Sequence, residues 1–540
     1  MTKRNIIDRA IETFAPVHAA KRAAARAALS AINSGYGNYG ANVTKKSMRG
    51  WEYFGGSAKE DIEDNIEILR QRSRDAYMGV PTATAALKTM RTNVIAGGLM
   101  PAPQIDAAFL RMPDESAEAL RGQIVREFAL WADTPDCDAD RVDNFYKLQQ
   151  LAFLSYLMNG DAFVLLPMES RNGQPYDLRV RLVEADRVCS PDGFDRLVPC
   201  DVGGRHVERI VQGVETNAAG TVVAYWICNR HPLSSTADIQ PEGVRWVRVE
   251  AFGRETGRRN VLHIMNRERA GQLRGVPLLA PVLEATKQLG RYTDAEIMAA
   301  VISSMFTVFV QSQTASDGRP LGETLPPEEL IDSADQTSIE LGPAAIIGLN
   351  PGETVNFADP KHPTAGYDAF TSAMIKQIGA ALEIPHEVLM KQFTTSYSAA
   401  RGALNEFWRT CQMYRDWFSD DFCRPIYEQW FAEAVALGRI HAPGFFSDPA
   451  MRKAYTECVW NGPARTNLNP VQEVTAAIQR VDAGFSTAEE ETAQMTGGSY
   501  SANIRQRKIE AAQKRAVDEI MHPQEKERTI GGTDDAKEDA

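Results

Sequence analysis

From Val276 to Val310 the sequence keeps a helical texture, with Pro277 and Pro281 confined to the first turn, where a missing N–H is tolerated. At about 1.5 Å per residue such a helix would reach on the order of 50 Å. A second helical face follows at Tyr367, Phe370, Met374, Ile378 and Leu382, and Ile384-Pro385 stops it. A third helix is expected from Ser398 to about Leu437. Its apolar side carries Leu404, Phe407, Cys411, Trp417 or Phe418, Phe422, Ile426 and Trp430. Pro425 lies inside it and predicts a kink. Rods of this length flank a short segment and need neighbours to bury both faces. The expectation is a chain that assembles with copies of itself, in closed rings where the rotation permits.

Elsewhere the texture alternates. Residues 61–90 read as helix broken at Gly79 and Pro81, and Glu115–Trp131 and Phe145–Asn159 as further helices. Between 161 and 265 short β-type runs dominate: Asp161–Leu166, Leu178–Val183, His206–Val214, Val222–Ile227, Val244–Val249 and Val261–Met265. Strands are also expected at Ala345–Leu349 and Thr354–Phe357, and helices at Thr466–Arg480 and Ala488–Glu519. The fold class is therefore α+β. Residues 1–39 read as a flexible basic N-terminal arm and 519–540 as a disordered acidic tail.

The chemistry is read largely by exclusion. The net charge is −12, which argues against avid wrapping of nucleic acid. No stretch has the roughly twenty apolar residues of a membrane span. Seven cysteines without a CxxC give neither a disulfide framework nor a zinc site. Phosphate-loop, dinucleotide, GxSxG and HExxH motifs are absent, and His386-Glu387 is followed by Met390 where a second zinc histidine would stand. The acids Asp133, Asp136, Asp138, Asp140 and Asp143 begin like a calcium loop, but Arg141 and Lys147 occupy the glycine and glutamate positions. They read as a solvated acidic loop. A metal-dependent nuclease using residues 133–143 is the rival reading. Arg267, Arg269 and Arg274 with Glu268 read as a salt-bridge surface rather than a phosphate clamp. The aromatic stripe from Phe407 to Trp430 reads as packing.

Several stretches resemble one known family in the order it uses them. They are Arg72-Ser73-Arg74-Asp75-Ala76-Tyr77; Thr92 to Leu99; Ile105-Asp106; Gly160-Asp161-Ala162-Phe163; and Val183-Glu184-Ala185-Asp186-Arg187. They continue with His263, Arg267 and Gly271 to Pro277; Leu349 to Glu353; Ile384-Pro385-His386-Glu387; and Tyr397 to Arg401. Over roughly residues 30–510 the chain resembles the lambda-type portal proteins of tailed double-stranded-DNA phages.

The resemblance implies a portal fold of wing, stem, clip and crown assembled as a ring, a dodecamer in that family. By order, 40–275 would be wing, 276–310 the first stem helix, 311–362 the clip, and 363–383 the second stem helix. Residues 384–397 would form a tunnel loop, 398–437 the long kinked helix and 438–518 a crown-like helical region. The ring would sit at one capsid vertex of a virion, assembled in the host cytoplasm, as a channel for genome packaging, head–tail joining and ejection. Implied partners are further copies of the chain, the terminase large subunit, the major capsid protein, a head–tail connector protein and double-stranded DNA. No membrane, cofactor, metal or catalytic residue is implied. Lys391, Gln392, Thr394 and Thr395 of the tunnel loop would line the channel.

Overall fold

The computed structural model describes residues 40–43, 45–51, 55–234, 243–304, 308–312, 353–357, 366–393, 396–465 and 469–521, with 15–18, 20–21 and 24–25. The chain divides into Met1–Asp61 and Ile62–Ala540. In the first unit a helical turn at Ala58–Asp61 is capped by Glu60, whose carboxylate accepts the Ser57 N–H at 2.7 Å. The N-terminal arm expected over 1–39 lies almost wholly outside the described residues.

The second unit begins with α1 (Ile66–Gly79) and α2 (Pro81–Val94), broken where Gly79 and Pro81 require it. After β1 (Met100–Pro103) come α3 (Asp114–Ala132) and α4 (Phe145–Asn159). Asn144 caps α4 by accepting the Lys147 N–H at 3.0 Å, and Gly160 ends it in the left-handed region at φ 88°. The middle of the chain is antiparallel sheet. Strands β2 (Asp161–Leu165), β3 (Arg181–Val183) and β10 (Val261–Met265) form one sheet in the order β10-β2-β3. Strands β4 (Cys200–Val202) and β5 (Arg205–Val207) form a hairpin. Strands β6 (Arg209–Val211), β7 (Val214–Thr216), β8 (Val222–Cys228) and β9 (Trp246–Glu250) form a four-stranded sheet.

The expected first long helix is shorter. Residues 280–282 are a 3-10 turn, and α5 runs only Leu283–Ser304, about 33 Å. Pro281 delays the regular helix, and Val308–Ser312 is β11, paired antiparallel with β12 (Glu353–Phe357). A β-branched Val at 308 and 310 favours this ladder over continued helix. The expected strand at 345–349 and most of segment 311–362 lie outside the described residues.

Helix α6 (Tyr367–Ala381) pairs with α5 through Tyr292, whose ring lies 5.0 Å from Phe370 and 5.5 Å from Tyr367. The short α7 (His386–Met390) follows, then α8 (Tyr397–Phe418), a π-helical turn (Ser419–Cys423) and α9 (Arg424–Ala436). Ser396, not Ser398, caps α8, accepting the Ala399 N–H. The irregularity expected from Pro425 takes the form of the π-turn just before it. Proline has no N–H, and its ring would clash with the Asp421 carbonyl in a regular helix, so the chain widens there. Phe407, Cys411, Phe418, Phe422, Ile426 and Trp430 are buried, while Trp417 remains 39% exposed. They join Phe128, Trp131, Phe145, Tyr427 and Trp460 in one aromatic core.

Helix α10 (Pro449–Thr456) leads into β13 (Cys458–Asn461), which pairs antiparallel with β1 across most of the chain. The C-terminal helices are α11 (Pro470–Asp482), α12 (Ala488–Thr496) and α13 (Tyr500–Met521). The single helix expected over 488–519 is split at Gly497, whose φ of 72° terminates α12. Residues 522–540, most of the expected acidic tail, lie outside the described residues.

Candidate functional site

The motif stretches at 72–77, 160–163, 183–187, 263 and 271–277 are far apart in sequence and meet at one buried ion network. Asp161 opens β2 directly after Gly160 and is fully buried, so its charge needs a cation. Arg274 supplies a fork, with Nε 2.5 Å from Oδ2 and Nη2 3.2 Å from Oδ1. Its remaining N–H groups donate to the carbonyls of Val188 at 2.8 Å, Gln212 at 2.6 Å and Ala185 at 2.9 Å. All five guanidinium donors therefore have acceptors. The same guanidinium lies 5.0 Å over the Phe163 ring, on which His263 stacks at 4.3 Å.

A second layer surrounds this pair. His263 Nε2 is 3.5 Å from Asp161, and Arg70 approaches Asp161 at 3.9 Å and Asp186 at 3.3 Å. Arg74 pairs with Asp186 and, at 3.3 Å, with Glu184, while His231 Nε2 is 3.3 Å from Asp186. Burial opposes ionisation of Asp161, but the charge of Arg274, with help from His263 and Arg70, holds its carboxyl well below the usual range. Burial pushes His263 down despite Asp161, and burial and the Arg274 charge pull Arg70 to about 9.

Gly160 and Gly275 stand backbone to backbone beside this network. A Cβ on either would overlap the other's carbonyl oxygen, so the close approach requires glycine at both positions. The Leu278 N–H donates to the Leu157 carbonyl at 2.9 Å, continuing the seam. The network thus fixes α4, the two central sheets and the segment entering α5 to one another. Arg274 does make a salt bridge between elements, as expected of Arg267–Arg274, but as the keystone of a buried network rather than at a surface. Arg267 and Glu268 themselves are exposed.

Among the described residues, Glu184, Asp186 and His231 have the spacing to hold a metal ion. Arg74 already pairs with both carboxylates, so a guanidinium supplies the positive charge there. Four of the five acids of 133–143 likewise have partners. Asp138 is 4% exposed and accepts the N–H groups of Asp140, Val142 and Asp143 at 3.0 to 3.1 Å. Asp136 takes Gln174 at 2.7 Å and lies 3.5 Å from Arg141, Asp140 lies 3.5 Å from Arg181, and Asp143 lies 3.7 Å from Lys147. The solvated acidic loop expected from sequence is instead a turn organised around a buried aspartate. This arrangement gives no support to a two-metal nuclease.

The expected loop at 384–397 is partly a packed element. Ile384 and Leu389 are buried, and the Ile384 N–H donates to the Gly379 carbonyl at 2.8 Å. His386 Nδ1 lies 3.0 Å from Glu387. Lys391 ends α7 in the left-handed region at φ 55°, and the Gln392 N–H returns to the Glu387 carbonyl at 3.0 Å. Lys391 and Gln392 are exposed, as is Phe393 at 55%. Thr394 and Thr395 lie outside the described residues. Sequence reasoning missed the network centred on Asp161. Its available signal was the pairing of Gly160-Asp161 with Arg274-Gly275, two motifs that each put a charge beside a glycine.

Comparison with known proteins bears on these motifs. The family model described as "Phage portal protein, lambda family" matches residues 44–415, more than half of the chain. "Portal protein B" of Escherichia phage lambda is 21% identical over 487 residues, covering 87% of this chain and 88% of the relative. "Portal protein" of Escherichia phage N15 gives the same identity and coverage. Among solved structures, the neck of a native GTA particle computed with C12 symmetry is similar with a TM-score of 0.40 at 12% identity, covering 79% of this chain and 92% of that one.

Proposed function

The chain belongs to the lambda family of phage portal proteins, and from that premise we propose that its copies close into a ring, a dodecamer, at one capsid vertex. Double-stranded DNA passes through the ring during packaging and leaves by it on ejection. The observation that carries this reading is the family match across residues 44–415, whose ordered motifs include those that build the Asp161–Arg274 network. In the proposed map, 40–275 is the wing, α5 and α6 belong to the stem, the segment between them is the clip, and 438–518 is the crown. The clip meets the terminase large subunit and later a head–tail connector protein, while the wing borders the major capsid protein. The particle location is the virion, after assembly in the host cytoplasm.

The exposed end of α7 is the proposed DNA-facing point. Lys391 offers one positive charge, and Gln392, Thr394 and Thr395 offer polar contact, which suits a duplex that must slide rather than stick. The acidic total of −12 serves the same end. No catalytic residue is assigned. No described helix is long and apolar enough to cross a membrane.

The test is native mass spectrometry and electron microscopy of the purified full-length chain. Closed rings near twelve copies are expected. A species that stays monomeric at micromolar concentration would overturn the ring reading.

A further inference from the structure

A cleft of about 220 Å³ opens at the π-turn. Its walls come from four elements: Tyr156 of α4, Ile264 to Asn266 at the end of β10, Tyr414, Trp417 and Phe418 of α8, and Asp420 and Asp421 of the π-turn. The rings of Tyr156 and Tyr414 lie 6.5 Å apart, and those of Tyr414 and Trp417 lie 5.5 Å apart at 66°. Asp420 is engaged by Arg424 at 2.8 Å. Asp421 is half-buried, and its carboxylate makes no hydrogen bond or ion pair within 4 Å among the described residues. The acids Glu268 and Glu383 add negative potential at Tyr156 and Tyr414. The cation whose field reaches Asp421 is Arg259, whose guanidinium sits over Phe252 at 5.8 Å.

We propose that this cleft is a binding site for an organic cation, a guanidinium or alkylammonium group, held by Asp421 beside the rings of Tyr156, Tyr414 and Trp417. Two independent features carry the inference. The cleft holds a half-buried carboxylate with no counter-charge within 4 Å among the described residues, so its solvation is incomplete and a cation would complete it. Its lining also holds three electron-rich rings, Tyr156, Tyr414 and Trp417, which attract a cation once water is displaced. Hydrated metal ions are poorly served here, because Asp420 is taken by Arg424 and the one remaining carboxylate does not provide an oxygen shell. The π-turn is what places Asp421 there: the widened backbone ahead of Pro425 turns this side chain toward β10 and α4 while Phe422 stays in the core.

The cation has two chemical sources, an arginine or lysine side chain of an adjacent copy, or a free polyamine. The proposal does not rest on the ring reading, because the second source needs no neighbour. Calorimetric titration of the unassembled full-length chain at low salt with L-arginine amide and with spermidine tests the site itself. Binding to the parent, weakened at least tenfold in Asp421→Asn and in Trp417→Ala, with Mg²⁺ failing to compete, is the expected result. Asp140→Asn, an exposed carboxylate that does not line the cleft, serves as the control and should leave binding unchanged. Native mass spectrometry of the same variants separates the sources. A lower ring yield in Asp421→Asn points to the side chain of a neighbour, and an unchanged ring yield with lost spermidine binding points to the free polyamine. Parent and Asp421→Asn proteins that match in cation binding and also in ring yield would overturn the proposal.

Discussion

At the scale of single residues, charge burial decides what each side chain does. Replacing Asp161 by Asn should leave Arg274 and Arg70 buried without their common counter-charge, a change on the order of 3–5 kcal/mol. Chemical denaturation at pH 7 would measure it; a loss under 1 kcal/mol would show that the network is not the keystone. The pH dependence has a fixed sign. The Asp161 carboxyl titrates below its unfolded value, so its contribution is present above about pH 4 and fades as pH falls. Asp421 is the opposite case. Burial, offset in part by Arg259, pushes its carboxyl up to about 6. The penalty is absent where both states are protonated and grows as pH rises from about 4 through 6. Asp421→Asn should therefore raise the unfolding free energy of the unassembled chain at pH 8, by on the order of 1 kcal/mol after allowance for solvent, and not at pH 3, as thermal denaturation at the two pH values would show. In the acidic turn, Asp138→Ala should cost about 1–3 kcal/mol because three N–H groups lose their acceptor, whereas the exposed Asp140→Ala should stay within about 0.5 kcal/mol. Equal effects in thermal denaturation would contradict the turn described here.

At the scale of elements, proline and glycine explain most differences between expectation and structure. Pro281 delays α5, Pro425 accompanies a π-turn, and Gly497 divides α12 from α13. The segment after α6 shows how a polar stretch can be half ordered. Ile384 and Leu389 anchor α7, and from Met390 to Ala399 the described residues are exposed. Deleting Lys391 to Thr395 removes the C-terminal cap of α7 but should spare the fold and ring yield, since the described residues of this stretch are exposed. On the proposed reading the same deletion impairs late packaging or retention of the genome. Comparing ring yield by microscopy with packaged DNA length tests both halves: full-length, retained genomes would remove the proposed grip on DNA.

At the scale of the whole molecule, the two ends of the main unit are tied together. Strand β1, near residue 100, pairs with β13, near residue 460, and Glu433 accepts the Asp177 and Leu178 N–H groups from across the core. Such contacts make residues 62–465 interdependent, so cutting the chain between α9 and α10 should unfold more than the piece removed. Limited proteolysis followed by circular dichroism would check this: loss of only local signal would contradict it. By contrast, α13 is exposed at nearly every described side chain, including Ile509, Val517 and Ile520. Its boundaries follow helix propensity rather than burial, and an isolated helix of this kind is marginal in water.

The family, the α+β class and most helix positions were legible in the linear chain. Periodicity of three to four, Gly160 after α4 and the break at Gly79–Pro81 are local signals, carried by residues close together in sequence. The antiparallel strands of 161–265 were visible as runs, but their partners were not, because pairing is set by contacts across tens of residues. Tertiary structure alone decided the roles of the charged residues. Asp138 and Asp140 stand two apart in the same acidic stretch, yet one is a buried turn centre and the other is exposed. Arg267 and Arg274 looked like one patch, yet only Arg274 reaches a buried carboxylate 113 positions away. A charge's function follows from its solvation and its counter-charge, and both are fixed only when the chain has folded around it.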